Sequence, residues 1–210
     1  MARTAPRGNR NGPIPAPALA RLRSRREQKG MSVRALADRI GVSPSLISQI
    51  ETGKVNPSVG TLVAITTELE LSLDVLFADA SAPLQAGAGE NGVLLHPDQR
   101  PALELETGVT WYRLTPRHEE DVDFLYVVYG VGGESCPPDG MMVHRGREYG
   151  LLLSGRLGAT VGFESYELAA GDSIVFEARS PHRFWTIGDE PAVVVWTIIG
   201  RAGEARQKFD

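Results

Sequence analysis

The chain of 210 residues has a single cysteine, Cys136, so no intrachain disulfide can form. It has no apolar run near the ~20 residues that a membrane span needs. Arginines stand near the N-terminus with no apolar stretch behind them, so this end does not read as a secretory signal. Cys136 lies between Gly-Glu-Ser and Pro-Pro with no basic neighbour, and reads as an ordinary free thiol in a loop. These absences point to the cytoplasm and to no membrane partner. What is present suffices for a core: 42% of residues are hydrophobic, and the length fits one large or two small domains.

Charge is unevenly spread. Residues 1–60 hold 11 Lys+Arg and 3 Asp+Glu, out of 22 and 26 in the whole chain. The net charge of −4 therefore hides a basic front and an acidic back. A basic front suits a phosphate backbone, and an acidic back keeps nucleic acid off the rest of the molecule. Residues 1–17, with Arg3, Arg7 and Arg10 among Gly, Pro and Asn, read as a disordered basic arm.

The stretch from Met31 to Lys54 reads as two short helices joined by a tight turn. Ser32 is a good N-cap, and Leu36, Ala37 and Ile40 follow at helical spacing. Gly41 ends the first helix, Ser43 caps the second and Pro44 takes its first position. Ile47 and Ile50 then face inward, leaving Ser45, Leu46, Ser48 and Gln49 outward. Small and amide side chains on an outward face suit the reading of base edges in a major groove. From about Leu19 to Phe77 the chain resembles the Xre/Cro-type, lambda-repressor-like helix-turn-helix. That resemblance implies double-stranded operator DNA as a partner, with Ser43, Ser45, Leu46 and Gln49 toward bases. It sets Ser32, Lys54 and Asn56 on phosphates. The domain is expected over 18–78.

Small residues dominate 79–92, which reads as a flexible linker. Beyond it, over 93–203, the periodicity turns from helical to alternating, with a short tail at 204–210. Strands are expected at Val109–Leu114, Phe124–Val131, Met142–His144, Tyr149–Leu153, Leu157–Phe163, Ser165–Leu168, Ser173–Phe176, Arg183–Ile187 and Ala192–Ile199. Such a series makes an antiparallel barrel or sandwich. Trp196 reads as core.

Two segments narrow the type. His144-Arg-Gly-Arg-Glu148 leads into Gly155, and Gly171-Asp-Ser-Ile-Val-Phe-Glu-Ala-Arg-Ser-Pro-His182 follows. They resemble the two motifs of the cupin superfamily, a double-stranded β-helix barrel. In that likeness His144, Glu148 and His182 fall on metal-ligand positions, while Met142 stands in place of one further His. Glu177, Arg179 and Thr186 replace the usual Pro, Gly and Asn of the second motif. Two imidazoles and a carboxylate suit Fe, Mn or Zn with open positions. The other reading is a metal-free barrel in which the three bind an organic effector or one another. Trp111, Tyr126, Met142, Leu152 and Phe184 are expected to join His144, Glu148 and His182 around an effector pocket.

The fold class is thus α+β in two domains, an all-α helix-turn-helix followed by an all-β cupin. The combination resembles the Xre–cupin transcriptional regulators. The likeness implies a homodimer that holds a small-molecule effector and reads two half-sites. A more distant resemblance is to the cupin-type mononuclear non-haem iron epoxidases that form fosfomycin. It rests on His144, Glu148 and His182 and on His96-Pro-Asp-Gln-Arg-Pro101. Gly30 and Leu114 fall about where that family's phosphonate-binding Lys and Tyr are expected, and the outward helix positions here keep a DNA-reading pattern. A regulator, not an enzyme, is the expectation.

Overall fold

The computed structural model describes residues 14–77, 92–117, 119 and 121–200. Most of the expected arm, nearly all of the linker and the tail lie outside the described residues. The helical part comprises α1 (Ala16–Gln28), α2 (Val33–Ile40), α3 (Pro44–Glu51) and α4 (Val59–Glu68), then a 3-10 turn at Leu73–Leu76. α1 thus begins inside the stretch expected as arm.

Local chemistry sets the helix ends. Ser32 Oγ accepts from Ala35 N, Ser43 Oγ from Leu46 N and Ser58 Oγ from Thr61 N. Each side chain satisfies an N–H that no helical carbonyl can reach. Gly41 closes α2 at φ 74°, a left-handed conformation that is cheap only for glycine. Leu22, Leu36, Ile47, Ile50 and Leu62 bury the inward faces. Arg26 of α1 clamps α3: its guanidinium donates to both Glu51 oxygens at 2.6 and 2.9 Å and to Met31 O at 2.7 Å.

Among the described residues nine antiparallel strands follow: β1 (Ala102–Glu104), β2 (Val109–Arg113), β3 (Val122–Tyr129), β4 (Arg147–Ser154), β5 (Arg156–Val161), β6 (Glu164–Ala169), β7 (Ser173–Glu177), β8 (His182–Thr186) and β9 (Ala192–Ile199). A six-stranded sheet in the order β1-β2-β3-β9-β4-β7 packs over a three-stranded sheet β6-β5-β8. Alternation decides the faces. Leu125, Val127, Tyr129, Glu148, Leu152, Val194, Trp196 and Ile198 are buried, while their neighbours along each strand are more exposed. Gly155 joins β4 to β5 at φ 76°, where a Cβ would stand 2.3 Å from Pro191 O. The motif glycine is therefore fixed by both conformation and space.

Two strand expectations need correction. Met142–His144 is no strand; one bridge pairs Met142 with His182. β3 ends at Tyr129, because Gly130 turns away and its N–H bonds Gly108 O at 2.9 Å. β1, only three residues long, carried too little alternation to be seen in sequence.

The two domains meet. Arg113 of β2 and Asp74 of the 3-10 turn form a buried ion pair at 3.2 Å. Glu119 N donates to the other Asp74 oxygen at 3.3 Å. Gly60 N donates to Ser135 O at 2.8 Å, and Glu106 N to Pro57 O at 3.2 Å. Buried residues of the helices and of the barrel make one continuous cluster.

Glu51→Ala would leave the Arg26 guanidinium buried, with its two carboxylate acceptors gone. The expected loss is about 3 kcal/mol of unfolding free energy, measured in urea. A loss below about 1 kcal/mol would show that the clamp does not hold α1 to α3.

Candidate nucleic-acid interface and metal-ligand chamber

α3 presents Ser45, Ser48 and Gln49 to solvent, with Ile47 and Ile50 turned inward. Leu46 is half-buried and packs partly against the core. Ser43 and Ser32 are exposed, but their hydroxyl oxygens already serve as caps. Each keeps its O–H for another acceptor. Lys54 is exposed just beyond α3, and Asn56 is half-buried. The seven residues expected at DNA thus lie on α3, its preceding turn and the loop after it, with Ser32 at the start of α2.

The second site lies inside the barrel. Glu148 on β4 sits between Phe176 of β7 and Ile198 of β9 in register. His182 opens β8, and His144 comes from the loop before β4. All three are at most 4% exposed. His144 Nε2 lies 2.7 Å and His182 Nε2 3.3 Å from the same oxygen, Glu148 Oε1. The candidate ligand atoms all fall within 4.8 Å of one another.

The outer nitrogens fix the tautomers. His144 Nδ1 is 2.8 Å from Arg145 O, and His182 Nδ1 is 2.9 Å from Ser180 O. A carbonyl only accepts, so both Nδ1 atoms carry the proton. Each Nε2 then needs a second proton or a cation to face a carboxylate. His182 Nε2 is buried and makes no aligned hydrogen bond. Rings anchored through Nδ1–H to carbonyls, with Nε2 atoms converging beside a carboxylate, match the way proteins present histidines to a metal. The residues present fit a divalent ion. Burial alone would raise the Glu148 carboxyl, but the two imidazoles beside it hold it down at about 2. Burial, and then the Glu148 charge, push the Tyr129 phenol up, so it faces the chamber as a neutral donor.

Trp111, Met142, His144, Glu148 and Phe184 line the chamber. His182 packs against Phe176 and Phe184, with ring centroids 5.0 and 5.8 Å away. Three expected walls are corrected. His182 is fully buried and does not itself line the chamber. Tyr126 alternates to the outer face, where it meets the Tyr112 ring and Arg100. Leu152 is fully buried in the barrel but lies away from the chamber lining. Sequence reading missed Val59, Val63 and Leu73, which reach the chamber from the helical domain. Their apolar periodicity signals only an ordinary helix core.

With this geometry in place, known proteins are informative. The helix-turn-helix family HTH_3 matches residues 22–76, and the Cupin domain family matches residues 125–198. The HTH-type transcriptional regulator PuuR of Escherichia coli (strain K12) is 28% identical over 165 residues, 78% of this chain and 84% of that one. The chain is a helix-turn-helix–cupin transcriptional regulator. A second curated relative of this regulator, SutR of the same strain, is 25% identical and spans 80% of this chain and 86% of its own. An HTH_3 family transcriptional regulator from Vibrio cholerae shares the regulator's fold, with a TM-score of 0.63 at 22% identity over 88% of this chain and 96% of that one. Hydroxypropylphosphonic acid epoxidase from S. wedmorenis overlays less closely, with a TM-score of 0.43 at 24% identity over 90% and 100% of the two chains. The curated relatives above are named as transcriptional regulators and give the enzyme alternative no support. Among the described residues, no helix of the regulator is long and apolar enough to cross a membrane.

The ring nitrogens can be checked directly. Long-range ¹H–¹⁵N spectra of the metal-free regulator should show a proton on Nδ1 of both His144 and His182. An Nε2-only tautomer at either ring would remove the argument for a metal-facing nitrogen.

Proposed function

We propose that the regulator binds an operator sequence-specifically as a homodimer, and that its cupin chamber holds a small-molecule effector. The observation that carries the DNA reading is the outward face of α3, whose Ser45, Ser48 and Gln49 have no packing role while Ile47 and Ile50 seat the helix. Ser43, Ser45, Leu46 and Gln49 read bases; Ser32, Lys54 and Asn56 meet phosphates.

His144, Glu148 and His182 would hold one divalent ion, Fe, Mn or Zn. Such an ion supplies open coordination positions for a donor atom of the effector. The protein's own part is to fix both rings through Arg145 O and Ser180 O and to keep a carboxylate ionised in an apolar wall. Tyr129 and the thioether of Met142 complete the surroundings.

The partner in the dimer is a second copy, seated on the outer face of the six-stranded sheet. Cross-strand rows there are uncharged: Phe124, Thr197, Tyr149 and Val175 in one, Tyr126, Val195, Leu151 and Ser173 in the next. Phe124, Tyr149, Leu151, Leu153 and Val175 are 37–48% exposed. The Arg147–Glu177 pair, joined at 2.7 Å, sits at one end as a rim. Three strands of eight residues and the five-residue β7, about 4.8 Å apart and rising about 3.3 Å per residue, give a face on the order of 450 Å² in projection. A stable dimer needs about 800 Å² of accessible surface per partner, so residues flanking this face must join it. One eight-residue helix reads few base pairs, so two heads are needed for a specific site.

Fluorescence anisotropy on DNA from upstream of the coding region, against a scrambled duplex at equal salt, tests the reading. Gln49→Ala should cost about 1–3 kcal/mol on the cognate duplex and relax base preference. Lys54→Ala should weaken both duplexes alike and reduce the salt slope by about one. Parental binding by both variants would place the recognition surface elsewhere. Separately, Leu151→Glu should sediment as a folded monomer, and a dimer of unchanged strength would rule out the outer sheet face. His182→Ala should abolish uptake of Co(II) while leaving DNA affinity of the metal-free protein within about threefold; retained Co(II) binding would remove the metal from this chamber.

A further inference from the structure

The chamber around His144, Glu148 and His182 is closed on one side by the reading head itself. Val59 and Val63 of α4 and Leu73 of the 3-10 turn line it together with Trp111, Phe184 and Trp196 of the barrel. None of these six is more than 4% exposed. The free volume is about 30 Å³. One water needs on the order of 10–15 Å³ by the same measure, so there is room for an ion and a water or two. An organic effector needs a cleft of roughly 300 Å³ or more. A close-packed interior does not stretch tenfold, so one wall must leave.

The walls are unequal. β2, β3, β9 and β4 are held by unbroken or nearly unbroken ladders. Among the described residues the head is held by the Asp74–Arg113 pair, by two backbone hydrogen bonds, from Gly60 to Ser135 and from Glu106 to Pro57, by the bond from Glu119 N to Asp74, and by Ser72 Oγ donating to Asp123 Oδ1 at 3.4 Å. Its apolar contacts with the barrel are the ones an entering organic group would replace. Against these ladders, α4 is the more weakly held wall.

We propose that an organic effector and the docked reading head exclude each other. The effector enters by lifting α4 and the 3-10 turn off the barrel, and this frees the head to change its position relative to its partner's. A metal ion alone leaves the head docked. The inference rests on the chamber being the effector site, and assigns the coupling to α4 rather than to a change of shape carried through the barrel. Coupling of this kind is reciprocal: DNA that favours the lifted head also favours the effector.

Gly60 provides the means to test it. A Cβ at Gly60 would lie 3.1 Å from Cys136 Cβ and 3.5 Å from Ser135 O. Disulfides span about 3.5–4.5 Å between Cβ atoms, so a shift of a few tenths of an ångström lets Gly60→Cys bond to Cys136 and lock the head. The probe is 4-phenylimidazole, which offers a cation to Glu148 or a nitrogen to a bound metal. Its binding to full-length protein is read by saturation-transfer NMR, with and without Co(II). The parent and the reduced variant should bind it, the oxidised variant at least tenfold more weakly, and reductant should restore binding. Co(II) alone should bind the two forms alike. In the parent, the probe should speed alkylation of Cys136, which is 4% exposed under α4, at least fivefold.

Equal binding of the probe by oxidised and reduced forms, or unchanged Cys136 alkylation in the probe-bound parent, overturns the proposal and leaves the chamber standing as an effector site. Binding by neither form counts against the effector reading instead. The coupling is then decided without a ligand by Gly60→Leu, whose side chain fills the seam. Alkylation of Cys136 at least tenfold faster is expected, with the barrel's circular dichroism retained. A parental rate overturns the proposal, since the head would then yield locally rather than lift.

Discussion

The buried pair between Asp74 and Arg113 decides where the reading head sits. Both side chains are at most 9% exposed, and a charge so far from water must meet its partner in one geometry. Asp74 follows α4 by a few residues, so fixing it against β2 also fixes the direction of that helix. Val59, Val63 and Leu73 then fall over the barrel interior, and Gly60, lacking a side chain, lets the backbone of α4 come within hydrogen-bond reach of Ser135. The chamber owes its small size to this placement as much as to the barrel's own side chains.

Inside the chamber the constraint is again a buried charge. Glu148 is cut off from bulk solvent, and two imidazoles answer it from separate elements, a loop and the first residue of β8. Those rings are held from behind by backbone carbonyls, so their orientation does not depend on what they face. The barrel thereby carries a polar centre in a wall made almost wholly of apolar and aromatic side chains.

Much of this was legible in the sequence because local rules dominate there. Ser32, Gly41, Ser43 and Pro44 mark helix ends by chemistry that acts within three or four residues, and they do so in the structure. The likeness of the segments holding His144, Glu148 and His182 to the cupin motifs implied that the three share one site, and their candidate ligand atoms lie within 4.8 Å of one another. What stayed hidden needed long-range knowledge. Tyr126 was misplaced because a register one residue different sends it to the other face, and Met142 was read as strand when only one bridge forms there. The run of small residues at 79–92 reads only as a flexible linker. It carried no sign of the contacts made by Pro57, Gly60 and Asp74, residues that look like ordinary helix and turn positions.

That α4 serves two cores has a bearing on how such a chain can vary. Val59 and Val63 help to build the hydrophobic centre of the helical domain and also form part of the wall around the inner histidines. A change there that reshaped the space beside Glu148 would alter the stability of the reading head as well. A head grafted from another helix-turn-helix protein would bring its own fourth helix, and with it a different ceiling. The two halves are therefore not freely interchangeable parts: what the barrel accepts and how firmly the head is built are inherited together.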